Sequence, residues 1–128
     1  MANKYKSKFE SNFARSLSAQ KVKFGYEVKK FPFVQPAKKR NYTPDFFIPE
    51  ADLFVECKGK LTKEERDKLL WIRETYPELS LVICFMRARN YIRKGSKTTY
   101  ADWATAEGFE WYDWERGGIP SERLKGKK

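Results

Sequence analysis

Three residues of this chain have side chains and spacing that could hold a divalent cation beside a lysine. Asp45 follows Pro44, and Glu56 and Lys58 come a short hairpin later, inside YTPDFFIPEADLFVECKGK from Tyr42 to Lys60. Two apolar runs, Phe46-Phe47-Ile48 and Leu53-Phe54-Val55, flank Pro49-Glu50-Ala51-Asp52, which has turn chemistry, so the stretch reads as a β-hairpin. A two-residue and a four-residue loop give the same register, with Asp45 opposite Glu56; a three-residue loop breaks it. Directly opposed side chains share a face with Cβ atoms roughly 4.5–5.5 Å apart. Lys58 joins that face by the two-residue period of a strand. Two opposed carboxylates repel, and a divalent cation between them removes the penalty. Hard oxygen donors suit Mg²⁺ or Mn²⁺. A charged, solvated strand face accounts for the same spacing in a chain that is 34% charged. Both readings stand on these residues alone.

The elements that would position this cluster follow from periodicity. Phe9, Phe13 and Leu17 recur every fourth residue and predict a helix from about Lys6 to Gln20, with Glu10 at the edge of its apolar stripe. A glutamate flanking a buried face is the simpler reading there, and a third carboxylate at the rim of the site is the other. Val22, Phe24, Tyr26 and Val28 alternate with polar residues and predict a strand up to Lys29. Pro32 and Pro36 hold the next segment extended, as a connector ending in the basic run Lys38-Lys39-Arg40. Thr62 and Glu65 fit a capping box that opens a helix to about Tyr76. Leu79 to Phe85 is apolar on both faces and predicts a central strand parallel to Leu53–Lys58. Arg87, Arg89, Arg93, Lys94 and Lys97 crowd a loop with Tyr91 and Ile92, either a phosphate-tracking surface or a solvated loop. Thr98 or Thr99 caps a short helix that Gly108 ends, and Phe109-Glu110-Trp111 reads as an edge strand. Trp103, Trp111 and Trp114 are read as core, and the tail SERLKGKK as basic and frayed.

Composition bounds the function. The chain has 128 residues, 41% of them hydrophobic and 16% aromatic, which suits one globular domain. The 27 Lys and Arg against 17 Asp and Glu give +10, which favours a polyanionic partner, nucleic acid first. No apolar run reaches the roughly 18 residues of a membrane span. MANKYKSKFE lacks the apolar centre of a signal peptide, and Cys57 and Cys84 read as buried free thiols; the expected setting is intracellular and reducing. Without histidine there is no imidazole base or ligand, and two cysteines alone cannot build a zinc site.

Helix, strand, hairpin, helix, strand resembles the core order of the restriction-endonuclease-like nucleases, whose motif is Pro-Asp, then Asp or Glu, any residue, and Lys. Within that group the chain is similar to the phage endonuclease I family of junction-resolving enzymes. SKFE at Ser7–Glu10, YTPDFFIP at Tyr42–Pro49, FVECKG at Phe54–Gly59, IRETYPEL at Ile72–Leu79 and RKGSKTTY at Arg93–Tyr100 carry the resemblance. It covers about Tyr5 to Glu107, and the tail weakly. It implies an α/β (α+β) fold, a mixed sheet flanked by helices. It also implies that Asp45, Glu56, the Cys57 carbonyl and Glu10 hold two Mg²⁺ or Mn²⁺ ions while Lys58 assists the attacking water. The family usually has Thr or Ser at position 57, a departure that leaves the backbone carbonyl in place.

The implied activity is hydrolysis of four-way (Holliday) junctions and other branched DNA in the host cytoplasm. A sequence- or mismatch-specific nuclease and a non-catalytic basic DNA-binding protein are the rivals. The expected layout is one domain over 1–128: a helix–strand unit at 1–28, a connector at 29–41, a catalytic core at 42–115 and a basic tail at 116–128. Two cuts require two sites, so a homodimer is expected, with no membrane or small-molecule cofactor. Family members exchange their N-terminal parts, and a connector from Lys29 to Asn41 could span roughly 40 Å at about 3.1–3.3 Å per residue. Phe31, Phe33 and Val34 on it would be costly to expose unpaired.

Overall fold

The computed structural model describes residues 4–35 and 38–126; the side chains from 34 to 40 lie outside the described part. Ser7 caps α1 (Lys8–Ala19) by accepting a hydrogen bond from Glu10 N at 3.0 Å. Then come β1 (Gly25–Tyr26), β2 (Phe31–Gln35), β3 (Lys38–Tyr42), β4 (Phe46–Ile48), β5 (Leu53–Lys58), α2 (Lys63–Thr75), β6 (Leu81–Phe85), α3 (Tyr100–Ala106), β7 (Glu110–Asp113) and α4 (Ser121–Leu124). The main sheet is mixed and runs β1-β4-β5-β6-β7, with β1, β4 and β5 antiparallel in turn and β5, β6 and β7 parallel.

Helices cover both faces of this sheet. Leu53, Val55 and Cys57 of β5, with Val82 and Cys84 of β6, point to the face packed by Phe9, Phe13, Ala14 and Leu17 of α1. Ile83 and Phe85 point the other way, onto Leu69 of α2 and Tyr100 and Ala104 of α3. Cys57 and Cys84 are register partners in neighbouring strands, both buried and both free thiols. The tryptophans pack as read: Trp114 against the α1 core, Trp103 and Trp111 against the α3 core. Thr99 caps α3, with Asp102 completing a reciprocal box.

The hairpin register is the expected one. Ile48 pairs with Leu53, Phe47 with Phe54 and Phe46 with Val55. The loop has four residues, a single 3-10 turn over Pro49–Ala51 and Asp52 in the left-handed region at φ 47°. Continued by one residue, that register sets Asp45 against Glu56.

Three expectations need correcting. The strand read over Val22–Lys29 pairs only at Gly25 and Tyr26, because β4 offers a short edge and Glu27 turns into the left-handed region at φ 50°. The connector is not one extended span. β2 pairs antiparallel with β3 from Phe31↔Tyr42 to Gln35↔Lys38, so the chain doubles back on itself. Burial drives this: Phe31, Phe33 and Tyr42 close over Ile72, beside Phe54, Trp71 and Tyr76, which a single pass could not cover. Pro32 is tolerated because both strands of this small sheet are edges. The tail, finally, is docked as far as it is described. Ile119 and Leu124 are buried, and Arg123 grips Glu110 at 2.8 and 3.0 Å.

Candidate active site

Among the described residues, four charged side chains are buried: Glu10, Asp45, Glu56 and Lys58. Charged groups are almost never buried in this way unless they are paired or bind a ligand. All four line one polar cavity of about 360 Å³, together with Lys6, Asn41, Tyr42, Thr43, Cys57 and Lys68. The cavity lies at the carboxyl end of β5, where β4 has not yet begun.

Each acid is placed by its own element. Asp45 sits just before β4, and its Oδ2 accepts the Cys57 N–H at 2.8 Å. Phe54 N–H and the Lys58 carbonyl bond towards β6, so the alternate residue Cys57 turns both N–H and carbonyl to the Asp45 side, as a carbonyl ligand requires. Glu56 Oε1 accepts from Tyr42 Oη at 2.7 Å, and its Oε2 lies 3.0 Å from Lys58 Nζ. Glu10, in the first turn of α1, accepts from Tyr26 Oη at 2.6 Å and from Lys6 N–H at 3.1 Å.

The carboxylates of Glu10, Glu27 and Asp45 each offer an oxygen within 4.8 Å of the others. Glu56 stands outside that trio, tied to Tyr42 and Lys58, yet close enough to act on Asp45. Burial, then the charge of Glu56, then Glu10, push the Asp45 carboxyl up to about 9. The acids therefore face one another with too little positive charge among them. A hard divalent cation fits this oxygen donor set and supplies the missing charge. For Lys58, burial acts to lower the pKa, but Glu56 and Glu65 outweigh it and hold the ammonium above its ordinary value. Lys58 is thus an ammonium set between two carboxylates.

Four participants escaped the sequence reading. Glu27 counted as the polar side of a longer strand, Tyr26 as core alternation, Tyr42 as the start of the hairpin stretch, and Glu65 as a helix cap. Only Tyr42, two residues ahead of Pro44-Asp45, carried a usable positional hint.

The basic residues divide. Parallel β5, β6 and β7 end together, so the loop after β6 and the turn after β7 lie at the cavity end of the sheet. Arg87 pairs with Glu115 at 2.7 Å and Arg89 with the same glutamate at 3.4 Å. Arg93, Lys94 and Lys97 are exposed, and their side chains make no ion pair among the described residues. Tyr91 is exposed and Ile92 half-buried. The side chains of Lys38, Lys39 and Arg40 lie outside the described part.

With that geometry in view, comparison with known proteins decides the relationship. The phage endonuclease I family matches residues 1–128. The chain belongs to that family. It is 36% identical to Endonuclease I of Escherichia phage T7, over 96% of this chain and 88% of that protein. It is also 36% identical to Endodeoxyribonuclease 1 of Enterobacteria phage T3, over 85% of this chain and 71% of that one. For a member of the phage endonuclease I family, a cavity holding every buried charge so far described is the place to look for chemistry.

Proposed function

We propose that this chain is a metal-dependent DNA endonuclease that resolves four-way and other branched DNA junctions. One observation carries the reading: the buried charges Glu10, Asp45, Glu56 and Lys58 share one cavity, and three of them, Asp45, Glu56 and Lys58, are the residues of the Pro-Asp, Glu-x-Lys motif, while Glu10 lies in the SKFE stretch of the resemblance. Asp45, Glu56, the Cys57 carbonyl and Glu10 would hold one or two Mg²⁺ or Mn²⁺ ions. When bound, such ions activate a water and stabilise charge on the phosphate and leaving oxygen.

The chain's own groups do the rest. Tyr42 and Tyr26 fix the rotamers of Glu56 and Glu10, so the acids are preorganised. Lys58, held protonated, donates to the attacking water or to a non-bridging phosphate oxygen. Water attacks phosphorus in line, and the P–O bond on the opposite side breaks. The exposed cations Arg93, Lys94 and Lys97, with Arg87 and Arg89 of the same loop and Lys38, Lys39 and Arg40 on β3, would follow phosphates. Such contacts position a substrate without reading its sequence, so choice rests on branch shape.

Two cuts across a junction call for a homodimer acting in the host cytoplasm, where phage DNA is. Among the described residues no helix is long and apolar enough to cross a membrane. Glu10 and Glu27 precede the β2–β3 hairpin, and Asp45, Glu56 and Lys58 follow it. Exchange at that hairpin would rebuild each cavity from two chains with its composition unchanged. A heterodimer of Glu10→Gln with Asp45→Asn tests this: shared sites restore nicking, because one site collects both lesions, and unshared sites stay dead.

The main test compares a four-way junction with a linear duplex of the same sequence in Mg²⁺. Cleavage of the junction alone is expected. Equal cleavage of both would favour a sequence-directed nuclease, and binding without cleavage a DNA-binding protein.

A further inference from the structure

Glu65 occupies the N3 position of α2, where Thr62 Oγ1 accepts its backbone N–H at 3.2 Å. A reciprocal capping box would send the Glu65 carboxylate back to the Thr62 N–H, as Asp102 does to Thr99 N–H at 3.1 Å in α3. It goes elsewhere. Oε1 bonds Lys58 Nζ, and Oε2 lies 3.3 Å from Lys68 Nζ. Lys68 in turn stands 5.9 Å from the Tyr42 ring centroid, and Tyr42 holds Glu56. Lys58 is therefore gripped between two carboxylates, Glu56 on its own strand and Glu65 on the neighbouring helix. Lys58 is buried apart from the cavity it lines, so these two carboxylates set its position.

The two grips are not equivalent. Glu56 belongs to the oxygen donor set of the cavity, and a cation there competes with Lys58 for it. Glu56 lines the cavity and Glu65 does not, so Glu65 keeps its hold when the cavity is filled. We propose that Glu65 is a positioning residue, which gives up half of a helix cap to aim the Lys58 ammonium at the reacting phosphate. This rests on the nuclease reading above.

The test is a double-mutant cycle on single-turnover cleavage, since residues acting as a unit are non-additive. Glu65→Gln should slow cleavage about ten- to a hundredfold, the scale of one charged hydrogen bond, with metal-free DNA affinity unchanged and partial recovery in Glu65→Asp. In a Lys58→Ala background the same substitution should cost nothing further. Thr62→Ala, which weakens the helix start but spares the carboxylate, should lower the melting temperature and leave the rate intact. An equal loss from Glu65→Gln in both backgrounds, no loss in either, or a matching loss in Thr62→Ala would overturn the inference. If the wild type cuts no DNA, the nuclease reading fails instead. The ammonium resonances of ¹⁵N-labelled lysines then decide the inference. A slowly exchanging Lys58 signal should be present in wild type and Thr62→Ala and lost in Glu65→Gln; its absence from wild type, or its survival in Glu65→Gln, refutes the grip.

Discussion

At the carboxyl end of the sheet two charged regions lie side by side and are built in opposite ways. In the cavity, Glu10, Asp45 and Glu56 are buried and held by donors from other elements, and Lys58 is buried and held by the accepting carboxylates of Glu56 and Glu65. In the loop after β6, Arg93, Lys94 and Lys97 are exposed without ion pairs among the described residues, and Arg87 and Arg89 share one glutamate. A buried charge must be over-determined or it costs several kcal/mol; an exposed one costs little in any rotamer. The cavity is therefore suited to fixed geometry and the loop to adaptable attraction.

The largest effects should come from the cavity. Asp45→Asn and Glu56→Gln should each cut DNA cleavage by about a thousandfold or more, since metal-centred charge stabilisation is worth several kcal/mol. Binding of a junction without metal should survive within a few-fold. Near wild-type rates in Mg²⁺ would move the chemistry out of this cavity. Lys58→Ala should lose about a hundredfold in rate while the half-saturating Mg²⁺ concentration holds, because the lysine donates and does not ligate; a shift in metal affinity alone contradicts that role.

Stability should show the same contrast. Asp45 binds a proton up to about 9 in the folded chain and only to about 3.8 unfolded. Its contribution to metal-free stability is full below about 4 and is lost as pH rises through 9. Glu65 and Glu110 are shifted down, so their contributions change only at acid pH. Urea unfolding in chelator from pH 5 to 9 should therefore show wild type weakening and Asp45→Asn nearly flat. Equal slopes for the two proteins would mean that the proton sits elsewhere. At the loop the effects are smallest. Arg93→Ala or Lys94→Ala should lower the log–log salt slope of DNA binding by about 0.9 each, and Arg87→Ala by less, since Glu115 already neutralises it. A larger change at Arg87 than at Arg93 would reverse the division drawn here.

The sequence made the cavity's first layer legible because apolar alternation on both sides of a turn fixes a hairpin register, and register sets Asp45 against Glu56. Its second layer was hidden. Glu27 reaches the site through a left-handed backbone at a non-glycine residue, which has no side-chain signature. Glu65 obeys a local capping rule that a tertiary contact half overrides. The β2–β3 hairpin depends on Phe31 and Phe33 finding Ile72 and Tyr76, a non-local burial that two prolines in an extended-looking segment conceal. Restriction of the edge strand to Gly25–Tyr26 likewise depends on the short reach of β4.

Cys57 and Cys84 lie abreast in the neighbouring strands β5 and β6, and burial pushes both thiols up, Cys84 to about 12. A soluble alkylating reagent needs a thiolate it can touch, and neither sulfur offers one while the strands are closed. Alkylation then becomes a clock on sheet opening, and the residue it marks is flanked by Glu56 and Lys58. How fast Cys57 is modified in native protein, with added Mg²⁺ and without, reports how often the strand bearing Glu56 and Lys58 comes apart.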